Sequence, residues 1–289
     1  MVVALDAYVP VADEASATER ALAGRLPALG EALLPTCLVV TVSLAPIFGD
    51  DPLRGGGRAI FLALVALSLL ALALRRPASV RLGLALVATI SSFALPWQLC
   101  WWPLPGVVGL GVYLLAKPVC AEAAGHAAPW WWLGRLSRSE FAAIAGLVAV
   151  AGSALLIFHG LTPPALGLGV RLIGPLPAWS VVVGGLAFVT VNAAVEEVFF
   201  RAVILGHLRA AIGTRPALLV QAVGFGLLNL HGYPYGLVGV ALTSVYGLML
   251  GVLRLRSGGL LAGWIAHVAA DSVIFLFILQ AAGAATRST

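Results

Sequence analysis

Charge is scarce in this chain. Asp, Glu, Lys and Arg make up 10% of its 289 residues, against 61% hydrophobic residues and a mean hydropathy of +1.03. A soluble domain carries about a quarter charged residues. So little polar surface cannot coat a water-soluble globule, which excludes that class and makes lipid the solvent for much of the chain. Cysteine is scarce as well. Cys37, Cys100 and Cys120 are odd in number, widely spaced and form no CxxC pair. They suggest neither a disulfide framework nor a cysteine metal site, and they read as small hydrophobes. The first twenty residues, MVVALDAYVPVADEASATER, lack the basic-then-apolar pattern of a cleavable leader. The first apolar run is therefore expected to stay as a membrane anchor. The net charge of +5 and pI near 9.6 are read as loop arginines facing anionic lipid headgroups, with no nucleic-acid partner.

What is abundant is apolar length. A helix crossing the hydrocarbon core takes about 20 mostly apolar residues. Nine runs approach that, at roughly 31–48, 59–75, 80–96, 100–117, 140–160, 177–206, 215–230, 235–253 and 259–281. The fold class is thus an all-α polytopic transmembrane bundle of about nine spans, with eight as the alternative if one short run is re-entrant. The fourth and seventh runs are the weakest. Segment 118–139, with Trp130, Trp131, Trp132, Arg135 and Arg138, reads as interfacial, where clustered Trp beside Arg is favoured.

The basic residues test that count. With the N-terminus in the cytoplasm and strict alternation, one side holds Arg20, Arg25, Arg75, Arg76, Arg81, Lys117, Arg135, Arg138, Arg209, Arg215, Arg254 and Arg256. The other side holds Arg54, Arg58, Arg171 and Arg287. Twelve against four is a strong positive-inside bias. It predicts a multi-pass protein of the plasma membrane, N-terminus in and C-terminus out. The organisation expected is a cytoplasmic segment over 1–30, a membrane region of about four spans plus the interfacial stretch over 31–139, a catalytic membrane domain over 140–281, and a tail over 282–289.

Acidic residues run out along the chain. Nine of the twelve Asp and Glu lie within 1–140, and after Glu140 only Glu196, Glu197 and Asp271 remain, each inside a predicted span. Ionisable groups in a membrane interior are costly and are functional suspects by default. The sixth run reads VNAAVEEVFFRAVIL. Glu197 and Arg201, four apart, share a helix face in the order that favours an ion pair. Glu196 is turned about 100° away on a regular helix. One carboxylate is then held in a salt bridge while the other can face a cavity, which is what a general base requires. In the ninth run, LLAGWIAHVAADSVIF, His267 and Asp271 also stand four apart. They could orient a water, stabilise an oxyanion or bind a metal. The seventh run ends in GFGLLNLHGYPYG, which offers Asn229 and His231. Each element alone also fits packing, capping or interhelical hydrogen bonding. Their joint occurrence on three separate helices favours a site. Gly224, Gly226, Gly247, Gly251, Gly258 and Gly259 read as points of close helix approach.

EEVFFR, from Glu196 to Arg201, resembles the EExxxR motif of the CPBP (Abi) family of intramembrane proteases, which includes the CAAX prenyl endopeptidases and bacteriocin-processing or immunity proteins. HVAAD, from His267 to Asp271, resembles the family's HxxxN/D motif. The likeness covers roughly 140–281. It implies an intramembrane endopeptidase that cleaves a membrane-anchored peptide or protein within the lipid bilayer. Glu196 would be the base that activates water, His267 and Asp271 would stabilise the oxyanion or position the water, and Glu197 with Arg201 would be a structural ion pair. It also brings in a divalent metal such as zinc, with Glu196, His231 and His267 as candidate ligands, beside a purely glutamate-driven mechanism. One departure stands out. The family's middle motif is FxxxH, whereas here Phe225 is followed at that spacing by Asn229, and His231 comes two residues later. Two rivals follow: a non-catalytic immunity or scaffold protein of the same fold, and a proton-coupled transporter. The transporter would predict repeated halves, and residues 1–140 hold no second EExxxR.

Overall fold

Apolar segments can satisfy their backbone in lipid only as helices or as a closed barrel, and helices form here. A computed structural model of the chain describes residues 30–45, 56–94, 103–117, 132–162 and 176–287, with side chains up to residue 283. Among the described residues there is no strand. The helices are α1 (Gly30–Ser43), α2 (Gly56–Ala73), α3 (Pro77–Ala94, its last turn tightened to 3₁₀), α4 (Leu104–Leu115), α5 (Arg138–Leu161), α6 (Ala178–Ile212), α7 (Thr214–Leu228), α8 (Gly236–Ser257) and α9 (Leu261–Arg287).

The nine runs read from the sequence recur as these nine helices, but six of them, α2, α3, α5, α6, α8 and α9, have the length and apolarity to cross a membrane. With 12 and 15 residues, α4 and α7 reach only about 18–23 Å at 1.5 Å per residue, short of a core about 30 Å thick. α1 is short in the same way. The chain is a multi-pass membrane protein with six helices of full spanning length among the described residues, and the expected count of nine is not confirmed. Residues 1–29, 46–55, 95–102 and 163–175, most of the expected interfacial stretch (118–131), Cys100 and Cys120 lie outside the described residues.

Local chemistry sets the breaks. Ser137 caps α5, with Glu140 completing a capping box. Arg256, at the end of α8, comes within 3.8 Å of Glu140. Gly213 (φ +81°) alone separates α6 from α7, and Gly258 (φ +67°) turns the chain out of α8. These are left-handed positions that glycine adopts without a Cβ penalty. Ahead of α5, the extended segment from Trp132 crosses the α8–α9 turn. Trp132 and Leu133 carbonyls accept from the amides of Leu260 and Leu261 at 3.0 and 3.1 Å, and Arg135 N donates to Ser257 O at 2.9 Å. The Leu261 amide that opens α9, which no intrahelical partner would take, is thereby satisfied.

α6 runs through the middle. One face joins a core with α1, α2, α3, α4 and α7, built around Leu38, Leu64, Leu86, Phe200, Ile204 and Phe225. On another side, α5, α8 and α9 meet through Ile144, Leu147, Leu250, Leu253 and Ala266, and Leu155 packs with Ala270 and Phe277. Outward faces carry Leu62, Leu69, Val150, Ile157, Val238 and Val245, all exposed. Large apolar side chains outside and ionised ones inside is the inversion that lipid imposes.

Candidate active site

The second half of α6 is not a regular α-helix. Phe188–Asn192 and Glu197–Ile204 are wound as π-helix, flanking the single α turn Ala193–Glu196. Such segments are rare and occur frequently at functional sites. The widened turns change which side chains meet, and they place both adjacent glutamates against one imidazole of α9. His267 Nδ1 lies 2.9 Å from Glu197 Oε1, and its Nε2 lies 3.4 Å from Glu196 Oε2 and 3.8 Å from Asp271 Oδ1. A neutral ring can donate from one of these nitrogens and a cationic ring from both, and a carboxylate oxygen stands beside each.

Glu197 is the most enclosed of the three acids. Only 1% of it is exposed, and Arg201 Nη1, itself inside, lies 3.1 Å from the same Oε1. The guanidinium then stacks over Phe225, its carbon 4.3 Å from the ring centroid. Ion pair and cation–π contact together compensate a charge that hydrocarbon alone would not tolerate. Asp271 is tied from the other side, where Asn192 Nδ2 donates to its Oδ2 at 2.8 Å. Near the same place Trp264 Nε1 donates to the Thr190 carbonyl within the first π segment, at 2.9 Å. α9 approaches this closely because residue 263 is glycine. A Cβ there would stand 2.5 Å from Glu197 Oε2.

The structure thus brings together Glu196, Glu197, Arg201, His267 and Asp271, all buried. It does not add the two seventh-run candidates to their contacts. α7 ends at Leu228 and continues as a 3₁₀ turn, Asn229–His231. Asn229 is half-buried, and its Nδ2 donates back to the Phe225 carbonyl at 3.0 Å. His231 is exposed. Beyond it Tyr233 bonds His159 Nδ1 through its hydroxyl at 2.8 Å, within an aromatic group of Phe158, Tyr235 and Phe277. Burial, and secondarily Tyr235, pushes the Tyr233 phenol up to about 12.

The candidate metal ligands Glu196, His231 and His267 do not converge. Among the described residues no group of three or more His, Cys, Asp or Glu side chains could hold a metal ion. The residues present do not fit a metal centre, and no step is routed through one.

Three residues of this region escaped the sequence reading. Asn192 sits four before Glu196 and carries no charge to flag it. Gln221 on α7 is fully buried with neither amide atom hydrogen-bonded, and Tyr246 on α8 buries a hydroxyl that has no hydrogen-bond partner. A search for uncharged polar residues inside apolar runs would have found all three. Of the glycines singled out, Gly226 and Gly247 mark the α7–α8 contact, against Ser244 and Phe225 respectively, while Gly258 serves the turn.

Residues 177–273 match a family model described as Rce1-like, Type II CAAX prenyl endopeptidase Rce1-like. The match spans about a third of the chain, from the start of α6 into α9, and takes in EEVFFR, the Phe225–Asn229 segment and HVAAD. No curated protein and no solved structure matches the chain significantly. With the paired glutamates and the His–Asp helix both inside the matched segment, the match supports membership of the CPBP/CAAX protease family for this multi-pass membrane chain.

Proposed function

We propose that the chain is an intramembrane endopeptidase that hydrolyses a peptide bond of a membrane-anchored protein or peptide, with Glu196 as general base. The observation that carries this reading is the division of labour between two adjacent carboxylates. Glu197 is committed to Arg201 and to His267 Nδ1, whereas Glu196 faces His267 Nε2 at the longer distance of 3.4 Å. A base needs a carboxylate that is positioned beside a group able to orient it and is not neutralised by a permanent cation.

In the reaction, a Glu196 carboxylate oxygen takes a proton from water as the water oxygen bonds to the scissile carbonyl carbon. The C=O π pair moves onto oxygen and gives a tetrahedral oxyanion. When it collapses, the C–N bond breaks and the proton held by Glu196 goes to the leaving nitrogen. The sum is one water consumed, with one acid and one amine formed. His267, fixed by Glu197 and by its neighbour Asp271, orients Glu196 and the water. The surrounding protein and lipid keep the dielectric low, so each fixed dipole counts for more than it would in water.

The deciding experiment compares protein termini in membranes and medium of three strains of the source organism: wild type, deletion, and deletion complemented with Glu196→Gln at matched membrane level. The protease reading expects specific new termini to be absent from both mutants, and those termini name the substrate. Restoration of every terminus by Glu196→Gln would remove it. One observation favours a second reading, a non-catalytic immunity or scaffold protein. The Asn229 amide is spent on the Phe225 carbonyl of its own helix, at the position where the family pattern has histidine. That reading expects Glu196→Gln to complement fully. We place the protein in the plasma membrane with its N-terminus in the cytoplasm, supported by the distribution of arginines and tested by reporter fusions at each end.

A further inference from the structure

We propose that Tyr246 is a further catalytic residue, the phenol that donates a hydrogen bond to the carbonyl oxygen of the scissile peptide as negative charge develops on it. The proposal rests on the protease reading above. Peptide hydrolysis needs both a base for water and a donor aimed at the oxyanion, the second often being the larger contribution. The donors around Glu196 are otherwise engaged. The nitrogens of His267 face Glu197, Glu196 and Asp271. The Asn192 amide is given to Asp271 and the Asn229 amide bonds the Phe225 carbonyl, while the Arg201 guanidinium makes no hydrogen bond but is committed as a cation to Glu197 and the Phe225 ring.

Tyr246 offers a neutral hydroxyl that faces none of these acids as an ion-pair partner. Its ring stands edge-on to His267, with centroids 5.9 Å apart and planes at 86°. It packs against all three apolar clusters of the protein, which fixes the ring. Its hydroxyl is buried, has no hydrogen-bond partner, and lies within electrostatic reach of Glu197, Asp271 and Arg201 and, more weakly, of Glu196. A buried hydroxyl left unpaired costs stability, whereas phenylalanine would keep the same packing without that cost. A hydroxyl that is costly for the folded protein, on a ring packed against the imidazole that meets Glu196, is suited to an acceptor that arrives with the substrate. As C=O becomes C–O⁻, the phenol donates to that oxygen and keeps its own proton throughout. Glu196 carries the transferred proton from water to the leaving nitrogen.

The test uses full-length protein in phospholipid vesicles and an internally quenched peptide spanning a terminus lost in the Glu196→Gln strain. Tyr246→Phe is expected to lower kcat by about 10²–10³-fold, the loss typical of one oxyanion donor, with KM within about twofold. Its Tm should be equal to or above wild type, because an unpaired hydroxyl has been removed. A purely structural tyrosine would show the stability gain without the rate loss. A kcat within about threefold of wild type overturns the assignment. If Tyr246→Phe folds poorly, 3,5-difluorotyrosine at 246 keeps the shape and makes the phenol more acidic. The alkaline limb of the kcat–pH profile must then move to lower pH, and an unmoved limb overturns the assignment. If no terminus depends on Glu196, the assignment falls with the protease reading. If termini depend on Glu196 but not on Tyr246, it falls alone.

Discussion

Asn192 donates its side-chain amide to Asp271 Oδ2 at 2.8 Å, joining the first π segment of α6 to α9 inside the membrane bundle. Both residues are about 5% exposed. Little water reaches this carboxylate, so the amide does work that solvent does at a surface. Removing it by Asn192→Leu leaves a buried acceptor without that donor, at a cost of about 1–3 kcal/mol. Asn192→Asp should cost more, by setting a second carboxylate against the first. Thermal unfolding in detergent micelles ranks the three proteins. The expected order is wild type, then Asn192→Leu, then Asn192→Asp, and equal transitions for all three would show that the bond contributes nothing.

The same pair shows how far the amino-acid sequence could be read. Glu196, Glu197, Arg201, His267 and Asp271 stood out because an ionisable group inside an apolar run is expensive, and the structure gathers all five. Asn192 did not stand out, since an uncharged amide in such a run costs less and has many partners to choose from. The π winding was also hidden. Hydrogen-bond register depends on how α6 packs against α9 and is not encoded in any one side chain. Regular geometry therefore set Glu196 about 100° from Glu197 and gave them separate faces, whereas both meet His267. Helix positions were legible throughout from apolarity. Span count was less legible, because the described parts of α1, α4 and α7 are 10–17 residues long, short of a full crossing.

Gly263 sets how close α9 comes to the acids. A Cβ there would stand 2.5 Å from Glu197 Oε2, with the Glu197 carboxyl carbon at 3.3 Å. Glu197 cannot swing aside without losing Arg201 or His267. Gly263→Ala should therefore cost about 1–3 kcal/mol, in the range of core overpacking. It should also lower the cleavage rate, because His267 lies one turn further along α9. Gly152→Ala in α5 is the control. Nothing lies within 4 Å of its added methyl, and replacing a mid-helix glycine should stabilise by about 0.5–1 kcal/mol. Unfolding temperatures moving in opposite directions would support the close approach. A Gly263→Ala protein as stable and active as wild type would show that α9 does not sit so near.

Tyr233 supplies a pH dependence that can be read without knowing the substrate. Its phenol is raised from the ordinary value near 10 to about 12, mainly by burial and secondarily by Tyr235. In the unfolded chain the proton leaves near pH 10. Between these values the native state holds a proton that the unfolded state has released, so stability falls as pH rises. The contribution is intact below pH 10 and is lost on going through about 12. Tyr233→Phe abolishes this loss, because nothing at the position titrates. It also gives up the 2.8 Å bond to His159, so the variant should start less stable at neutral pH. Plotted against pH, the two unfolding curves should therefore converge between 10 and 12. Curves that stay parallel across that window would mean that Tyr233 titrates alike in both states, and that the aromatic group beside the 3₁₀ turn is open to water.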